Sequence, residues 1–200
     1  MNAFKSLLVL SAILAATVSA EAGISVGQPA YGGNGCPAGS ASVTVTPDGS
    51  TMSVLFDQFS AEAGNTTGRR IDRKSCNLRV PIRVPNGYSV ALIGVDYRGF
   101  NAIPGGGAYS ELRNEYFYAG SRGPVYQQRF NGPRADSYTV TNNLIASSLI
   151  WSECSKEVIF SINSSATAMS NAAMQQTMMT VDSIDISAGM LYHFQFRRCN

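Results

Sequence analysis

Four carboxylates in this 200-residue sequence are candidates for general acid–base chemistry: Asp57, Asp96, Glu111 and Glu115. Glycoside hydrolysis requires two carboxyl groups that face each other across a cleft. Asp96 lies in the partly apolar stretch "VDYRGF", where a carboxylate needs a partner. Arg98 lies two residues further on, and therefore on the same face of a strand. We predict local ion pairing of this kind rather than catalysis, with a small hydrolase that uses paired carboxylates as the alternative.

Other catalytic and metal-binding patterns are missing from the sequence. The single histidine, His193, alternates with apolar residues and is expected at an exposed or rim position, and no G-x-S-x-G nucleophile motif is present. The cysteines show no C-x-x-C spacing, which argues against zinc. We predict no catalytic residue, no metal and no cofactor, although a calcium site built from Asp57, Asp72 or Asp96 stays open.

The first twenty residues have the pattern of a secretory signal peptide. Lys5 precedes an apolar stretch from Leu7 to about Ala16, and small residues lead up to Ala20, after which we predict cleavage. The apolar stretch is too short to span a bilayer of about 30 Å. We predict a signal peptide over residues 1–20 and a single secreted domain over residues 21–200. The compartment is extracellular, or the periplasm or envelope if the source is bacterial.

The export signal decides the interpretation of the four cysteines, Cys36, Cys76, Cys154 and Cys199. An even number of cysteines in an oxidising compartment predicts two disulfides. Sequential pairing, Cys36 with Cys76 and Cys154 with Cys199, closes the shorter loops and is slightly favoured. Pairing Cys36 with Cys199 would suit first and last strands that lie side by side, so the connectivity stays open.

Charge and composition exclude two classes of partner. Charged residues make up 14% of the chain, and removal of Lys5 with the signal lowers the formal net charge from +2 to +1. Such a chain has no basic footprint for nucleic acid and no polybasic patch for anionic lipid. The mature sequence contains no apolar run long enough to cross a membrane.

Period-two alternation of apolar and polar residues predicts strands along most of the mature chain. In "SASVTVTPDGSTMSVLFDQF", two alternating runs flank Pro47-Asp48-Gly49, which predicts a hairpin. In "CNLRVPIRVPNGYSVALIGVDY", a second hairpin is predicted around Asn86-Gly87. Pro81 cannot donate a ladder hydrogen bond, so its strand is expected at an edge or a bulge.

Further strands are predicted in "AYSELRNEYFYAG", "EVIFSINSS" and "MLYHFQFRR". The segment "TAMSNAAMQQTMMTV" is predicted to form a hairpin turn and a strand. Residues 120–136, rich in glycine, proline and arginine, are predicted to form a long surface loop. About eight short strands with little helix predict an all-β fold, a single antiparallel β-sandwich of jelly-roll or immunoglobulin-like type with two disulfides.

Aromatic residues supply the candidate binding surface. Tyrosines are concentrated in one third of the chain, beside glycine-rich loops and arginines. Exposed tyrosines give a large contact area at small entropy cost. The predicted surface consists of Tyr97, Arg98, Tyr109, Tyr116, Tyr118 and Tyr126.

An ordered set of short motifs resembles a known family. The set comprises "GCPAGS", "SVLFDQFSAEAG", "DRKSCNL", "VPNGYSVALIGVDYRGF", "NGP", "WSEC", "INSS" and "FQFRRC". It is similar to a family of small secreted proteins of fungi and bacteria, catalogued as domain of unknown function 4360. The chain departs from the family pattern at Glu153 and Ser155, where proline and glycine are usual, and at Phe196, where tryptophan is usual. The resemblance implies a secreted, disulfide-bonded domain without an assigned activity, and no catalytic residue can be carried over.

Two functions remain for the mature chain. The absence of a catalytic constellation favours a secreted, non-catalytic module that binds a surface, a glycan or a protein. A small secreted hydrolase is the alternative.

Overall fold

A computed structural model describes residues 23–181 and 189–199, so the predicted signal peptide lies outside the described residues. Within these ranges the chain forms thirteen strands and one 3-10 turn, Ala146–Ser148, and no helix there is long and apolar enough to cross a membrane. The strands are β1 (Ser25–Val26), β2 (Ala30–Gly32), β3 (Ala41–Val45), β4 (Thr51–Phe56), β5 (Ser60–Ala63), β6 (Ile71–Arg83), β7 (Tyr88–Ile103), β8 (Tyr109–Tyr118), β9 (Val125–Asn131), β10 (Arg134–Asn143), β11 (Glu157–Met169), β12 (Thr177–Thr180) and β13 (Met190–Arg198).

The strands form two antiparallel sheets. In the first sheet β6, β11, β8 and β9 are neighbours in that order, and β1 and β2 both pair with the other side of β6. In the second sheet β3, β4, β13 and β7 are neighbours. The 16-residue β7 also pairs with β10 on one side and with β12, followed by β5, on the other. The predicted antiparallel β-sandwich is confirmed.

The hairpin of β3 and β4 shows how alternation builds a sheet. Met52, Val54 and Phe56 point inward and are buried, while the residues between them face outward. In the turn, Asp48 accepts hydrogen bonds from the hydroxyl groups of Thr46 and Ser50. This hairpin is confirmed as the sequence predicts it.

Phe160 of β11 joins the two inner faces. Its ring centroid lies 5.5 Å from that of Tyr118 on its own sheet, and 5.8 Å and 5.6 Å from those of Tyr192 and Phe194 on the opposite sheet. Only 1% of Phe160 is exposed. Aromatic edge contacts of this kind hold the sheets in a fixed orientation.

The predicted hairpin around Asn86-Gly87 is wrong. Its two strands belong to different sheets, since β6 pairs with β11 and β7 pairs with β13. The turn is present, with Gly87 at a φ of 80° and the Tyr88 N–H bonded to the Pro85 carbonyl. Both strands carry one continuous apolar face, and each face is buried in the core as part of a different sheet.

The predicted surface loop over residues 120–136 is also wrong in its extent. Most of it is β9 and the start of β10, which extend the two sheets along one side of the sandwich. The sequence shows no clean alternation in β9, because Gln128 interrupts the inward face that Tyr126 and Phe130 form. The strand predicted in "TAMSNAAMQQTMMTV" is present as β12, but the predicted hairpin turn is wrong, because β11 before the turn and β12 after it belong to different sheets.

Pro81 lies within β6, which has neighbours on both sides. The Pro81 carbonyl accepts a hydrogen bond from the Gly27 N–H at 2.8 Å. In an antiparallel ladder, the nitrogen and the carbonyl of one residue face the same neighbour. The Pro81 nitrogen, which carries no hydrogen, therefore faces the segment between β1 and β2. No strand pairs with that side of β6 at this point, so the missing N–H does not break a hydrogen bond between strands.

Candidate functional site

An open groove of about 980 Å³ crosses the outer face of the first sheet. Its floor is formed by β6 and β11, and it extends from β2 to the end of β8, a width of four strands or about 14 Å. The side chains that give the floor its polar and aromatic character are Asn77, Arg79, Phe117, Ser161 and Asn163. We call this surface the sheet groove.

The floor presents polar groups at regular spacing. The strand register places Asn77 opposite Asn163, and Arg79 opposite Ser161. Their side chains point outward because the alternate residues of both strands are in the core. Within the described part of the chain these four side chains form no hydrogen bond or ion pair with another residue. The donors and acceptors of Asn77, Arg79 and Asn163 are thus unpaired and accessible to a ligand, whereas Ser161 is only 7% exposed.

One side of the sheet groove stays open because β2 carries small residues there. Ala30 pairs with Arg79, and Gly32 pairs with Asn77, so both positions face the groove. A Cβ atom added at Gly32 would meet nothing within 4 Å. The other side is apolar: the half-buried Phe117 lies opposite Ser161, next to the pair of Pro81 and Ile159.

A second recess of about 410 Å³ lies beside the Cys154–Cys199 disulfide. Both of its serines are already engaged within the protein: the Ser89 hydroxyl donates to the Ser152 carbonyl, and the Ser152 hydroxyl accepts from the Val90 N–H. The Arg197 guanidinium lies over the Trp151 ring at 4.1 Å. This recess therefore has fewer groups to offer a ligand than the sheet groove.

Three tyrosines of the predicted binding surface are in the core. Tyr97, Tyr116 and Tyr118 are 0%, 2% and 6% exposed. Burial raises the pKa of all three phenols, in Tyr116 to about 12, even though hydrogen bonds with Tyr97 and Asn142 lower it. The prediction that these rings form an exposed contact surface is wrong, because all three point inward on β7 and β8.

The other three residues of that predicted surface lie on separate parts of the molecule. Tyr109 is on the outer face of the first sheet beneath the Arg129 guanidinium, 3.8 Å from its ring centroid. Tyr126 is at the β9 edge and stacks on Tyr97 with 5.0 Å between centroids. Arg98 is on the outer face of the second sheet. The structure does not bring the six residues together.

Comparison with known proteins decides the family. The model of the family described as Domain of unknown function (DUF4360) matches residues 22–199. This chain belongs to the DUF4360 family. An uncharacterized secreted protein of Arthroderma benhamiae is 27% identical to it over 169 residues, which cover 84% of this chain and 69% of that protein.

A solved structure is also similar to this DUF4360 chain. It is TmCBM61 in complex with beta-1,4-galactotriose, which is 12% identical and aligns with 86% of this chain and 88% of its own. The TM-score is 0.25, which is too low to support any inference.

The four candidate carboxylates of the DUF4360 chain do not form a facing pair. Asp57 is exposed after β4, and Asp96 lies on the outer face of the second sheet. Glu111 and Glu115 share the outer face of β8 but are four residues apart, or about 13 Å along the strand. That exceeds the separation of about 5–9.5 Å between glycosidase carboxyl groups. Among the described residues no group of three or more metal-ligating side chains is present.

Asp96 is bound by two other strands rather than by Arg98. Its carboxylate accepts a hydrogen bond from the Thr141 hydroxyl and lies 2.8 Å from His193 Nε2. The Thr51 hydroxyl is 3.3 Å from His193 Nδ1, which completes a row of polar groups over four strands. Asp96 and Arg98 form no direct ion pair among the described residues, because the neighbours on β10 and β13 are closer, although the Arg98 charge also helps to lower the Asp96 pKa.

This row makes Asp96 sensitive to acid. Partial burial raises the Asp96 pKa, but the hydrogen bonds with Thr141 and His193 outweigh it, and the pKa lies below its ordinary value of 3.8. A carboxyl group with a lowered folded-state pKa stabilises the fold above its unfolded-state pKa, and the contribution is lost as pH falls through the folded-state value.

We expect Asp96→Asn to lower the free energy of unfolding at pH 7 by up to about 1 kcal/mol, because the pair is partly exposed. The difference between the two proteins should shrink as the pH falls below about 4. Denaturant unfolding of both proteins between pH 7 and pH 2.5 measures it. A difference that stays constant over this range would show that the Asp96 charge does not stabilise the fold.

The two disulfides are Cys36–Cys76 and Cys154–Cys199, which confirms the sequential pairing. Cys76 is in the middle of β6, next to Asn77 of the sheet groove. Gly33, with φ of 143°, lets the chain after β2 approach β6, since a Cβ atom there would lie 2.1 Å from the Ser75 carbonyl oxygen. The first disulfide thus fixes one side of the groove.

The residues of the sheet groove were not singled out from the sequence as a binding site, and Asn163 stands out there only as the first residue of the glycosylation sequon Asn163-Ser164-Ser165. The outward position of Arg79 follows from alternation in β6, which the sequence does show. Nothing in the sequence indicates that β11 lies beside β6, or that Asn163 therefore faces Asn77. The site depends on pairing between strands that are about 80 residues apart.

Proposed function

We propose that the mature chain is an extracellular, non-catalytic module that binds a glycan chain in the sheet groove. The observation that carries the proposal is the floor of unpaired amide, hydroxyl and guanidinium groups beside the Phe117 ring. Pyranose rings have polar edges and an apolar face, and the sheet groove offers the same combination. Because the floor residues lie on paired strands, their positions are set before a ligand arrives, which lowers the cost of binding.

An extracellular location is supported by the predicted signal peptide, by two formed disulfides and by the secreted relative in the same family. A non-catalytic role is supported by the wide separation of Glu111 and Glu115 and by the row that engages Asp96. The side chains of the groove contain no carboxylate to act as acid or nucleophile.

We expect Phe117→Ala to weaken glycan binding about tenfold or more, since a well-placed aromatic anchor contributes about 2 kcal/mol. Phe100→Ala is the matched control, because Phe100 is a half-buried phenylalanine on the outer face of the other sheet. Affinity electrophoresis of the mature protein in gels containing soluble cell-wall polysaccharides measures both variants.

A second variant fills the groove instead of removing a contact. Gly32→Ile should leave the fold intact, because the added side chain has open space, and should block access to Asn77. Binding that survives both Phe117→Ala and Gly32→Ile would place the contact surface elsewhere. Cleavage of a polysaccharide, followed as new reducing ends, would support the hydrolase instead, with Asp57, Asp96, Glu111 and Glu115 as the residues to replace.

A further inference from the structure

The sheet groove carries a single charge among its lining residues, that of Arg79. The guanidinium is exposed, and it has no ion pair with any described carboxylate. Two other arginines of the same sheet face do pair with an acid: Arg83 binds Glu157 at 3.2 Å, and Arg129 binds Glu111 at 3.4 Å.

Neighbouring carboxylates are too far away to neutralise Arg79. Glu115 pairs with Asn163, which in turn pairs with Asn77, so Glu115 lies two strands away from Asn77 in the sheet. Arg79 is two residues further along the strand of Asn77, which places the backbones of Glu115 and Arg79 about 12 Å apart. The two side chains form no ion pair among the described residues. On β11, Glu157 is four residues from Ser161, the residue that pairs with Arg79, and it already binds Arg83. The positive charge in the groove is therefore uncompensated.

Resting on the proposed function, we propose that the glycan is acidic and that Arg79 binds the carboxylate of a uronic acid unit. Guanidinium and carboxylate match in geometry and form two parallel hydrogen bonds. The Asn77 and Asn163 amides next to Arg79 bind ring hydroxyls, and Phe117 packs on the apolar face of a neighbouring ring.

The experiment compares uronate tetramers with their own methyl esters, which keep the sugar backbone and remove the charge. Tetramers of galacturonate, mannuronate and guluronate are titrated calorimetrically into the mature protein. We expect at least one acid form to bind about tenfold or more tightly than its ester. In Arg79→Gln this preference should disappear, and Arg79→Lys should restore part of it.

Arg113→Gln is the control for general electrostatics. Arg113 is outward on β8, on the same sheet face, and is not part of the groove, so the variant removes the same charge at a different place. We expect Arg113→Gln to keep the preference for the acid form.

Three results would overturn the inference. Equal binding of acids and esters that still depends on Phe117 would show a neutral glycan site, which leaves the proposed function in place. An equal loss in Arg113→Gln and Arg79→Gln would show attraction by net charge alone. No binding of any acid, ester or neutral polysaccharide would overturn the proposed function together with this inference.

Discussion

Replacing Phe160 with alanine is expected to lower the free energy of unfolding by about 3–5 kcal/mol. The ring is 1% exposed and contacts aromatic rings of both sheets, so its removal leaves a cavity between Tyr118, Tyr192 and Phe194. The paired strands on both sides cannot move to fill that cavity. The loss of stability therefore exceeds the free energy of transferring the Phe160 side chain from the core to water.

Equilibrium unfolding in guanidinium chloride, followed by the near-ultraviolet signal of the tyrosines, measures the Phe160→Ala effect. Phe100→Ala is the reference for an outward phenylalanine and should change stability by about 1 kcal/mol or less. Similar losses in the two variants would contradict a core in which Phe160 joins the sheets.

Removal of the Cys36–Cys76 disulfide, by replacing both residues with alanine, is expected to have two effects. Stability should fall by about 2–4 kcal/mol, since the bond closes a loop with a sequence separation of 40. Glycan binding should also weaken, because β2, which forms one side of the sheet groove, pairs only with β6 among the described strands.

The Cys154→Ala/Cys199→Ala double variant is the matched control. That bond closes a loop of similar separation, 45, and is not part of the sheet groove. We expect a comparable loss of stability and unchanged affinity, measured at a temperature at which both variants are folded. If the two double variants lose affinity equally, the first disulfide does not position the groove.

Local sequence patterns correctly predict those structural features that depend only on residues close together in the sequence. The β3–β4 hairpin, the turn at Asp48 and the inward face of β13 all follow from alternation over a few residues. The four cysteines in an exported chain predict two disulfides, and the shorter loops are the ones that form. Burial of apolar side chains on a strand imposes a period of two, whichever strand lies beside it.

The turn at Asn86-Gly87 shows where local patterns stop. The dipeptide supplies the positive φ at Gly87 for a tight turn, and the sequence predicts that turn. The same tight turn can join two paired strands of a hairpin or lead the chain from one sheet to the other. The choice between them depends on whether β6 and β7 pair with each other or with strands of different sheets, and here β6 pairs with β11 while β7 pairs with β13.

The tyrosine-rich region shows the same limit for side chains. In "EYFY", aromatic residues occupy both faces of β8, so alternation does not say which face is the core. The structure buries Tyr116 and Tyr118 and leaves Phe117 outward, where it lines the groove instead. The aromatic residue that faces the groove is thus the one between the two tyrosines that the sequence favoured.

By itself the sequence determined the secretory pattern, the antiparallel β-sandwich, the two disulfides and the outward position of Arg79. Only the tertiary structure decided that β6 lies beside β11 and that Asn77, Arg79, Ser161 and Asn163 form one floor. The physical reason is the distance along the sequence between the residues that determine each feature. Alternation reports whether a side chain is buried, which each strand determines locally, whereas a binding site depends on which distant strands are neighbours, and that follows from packing of the whole core.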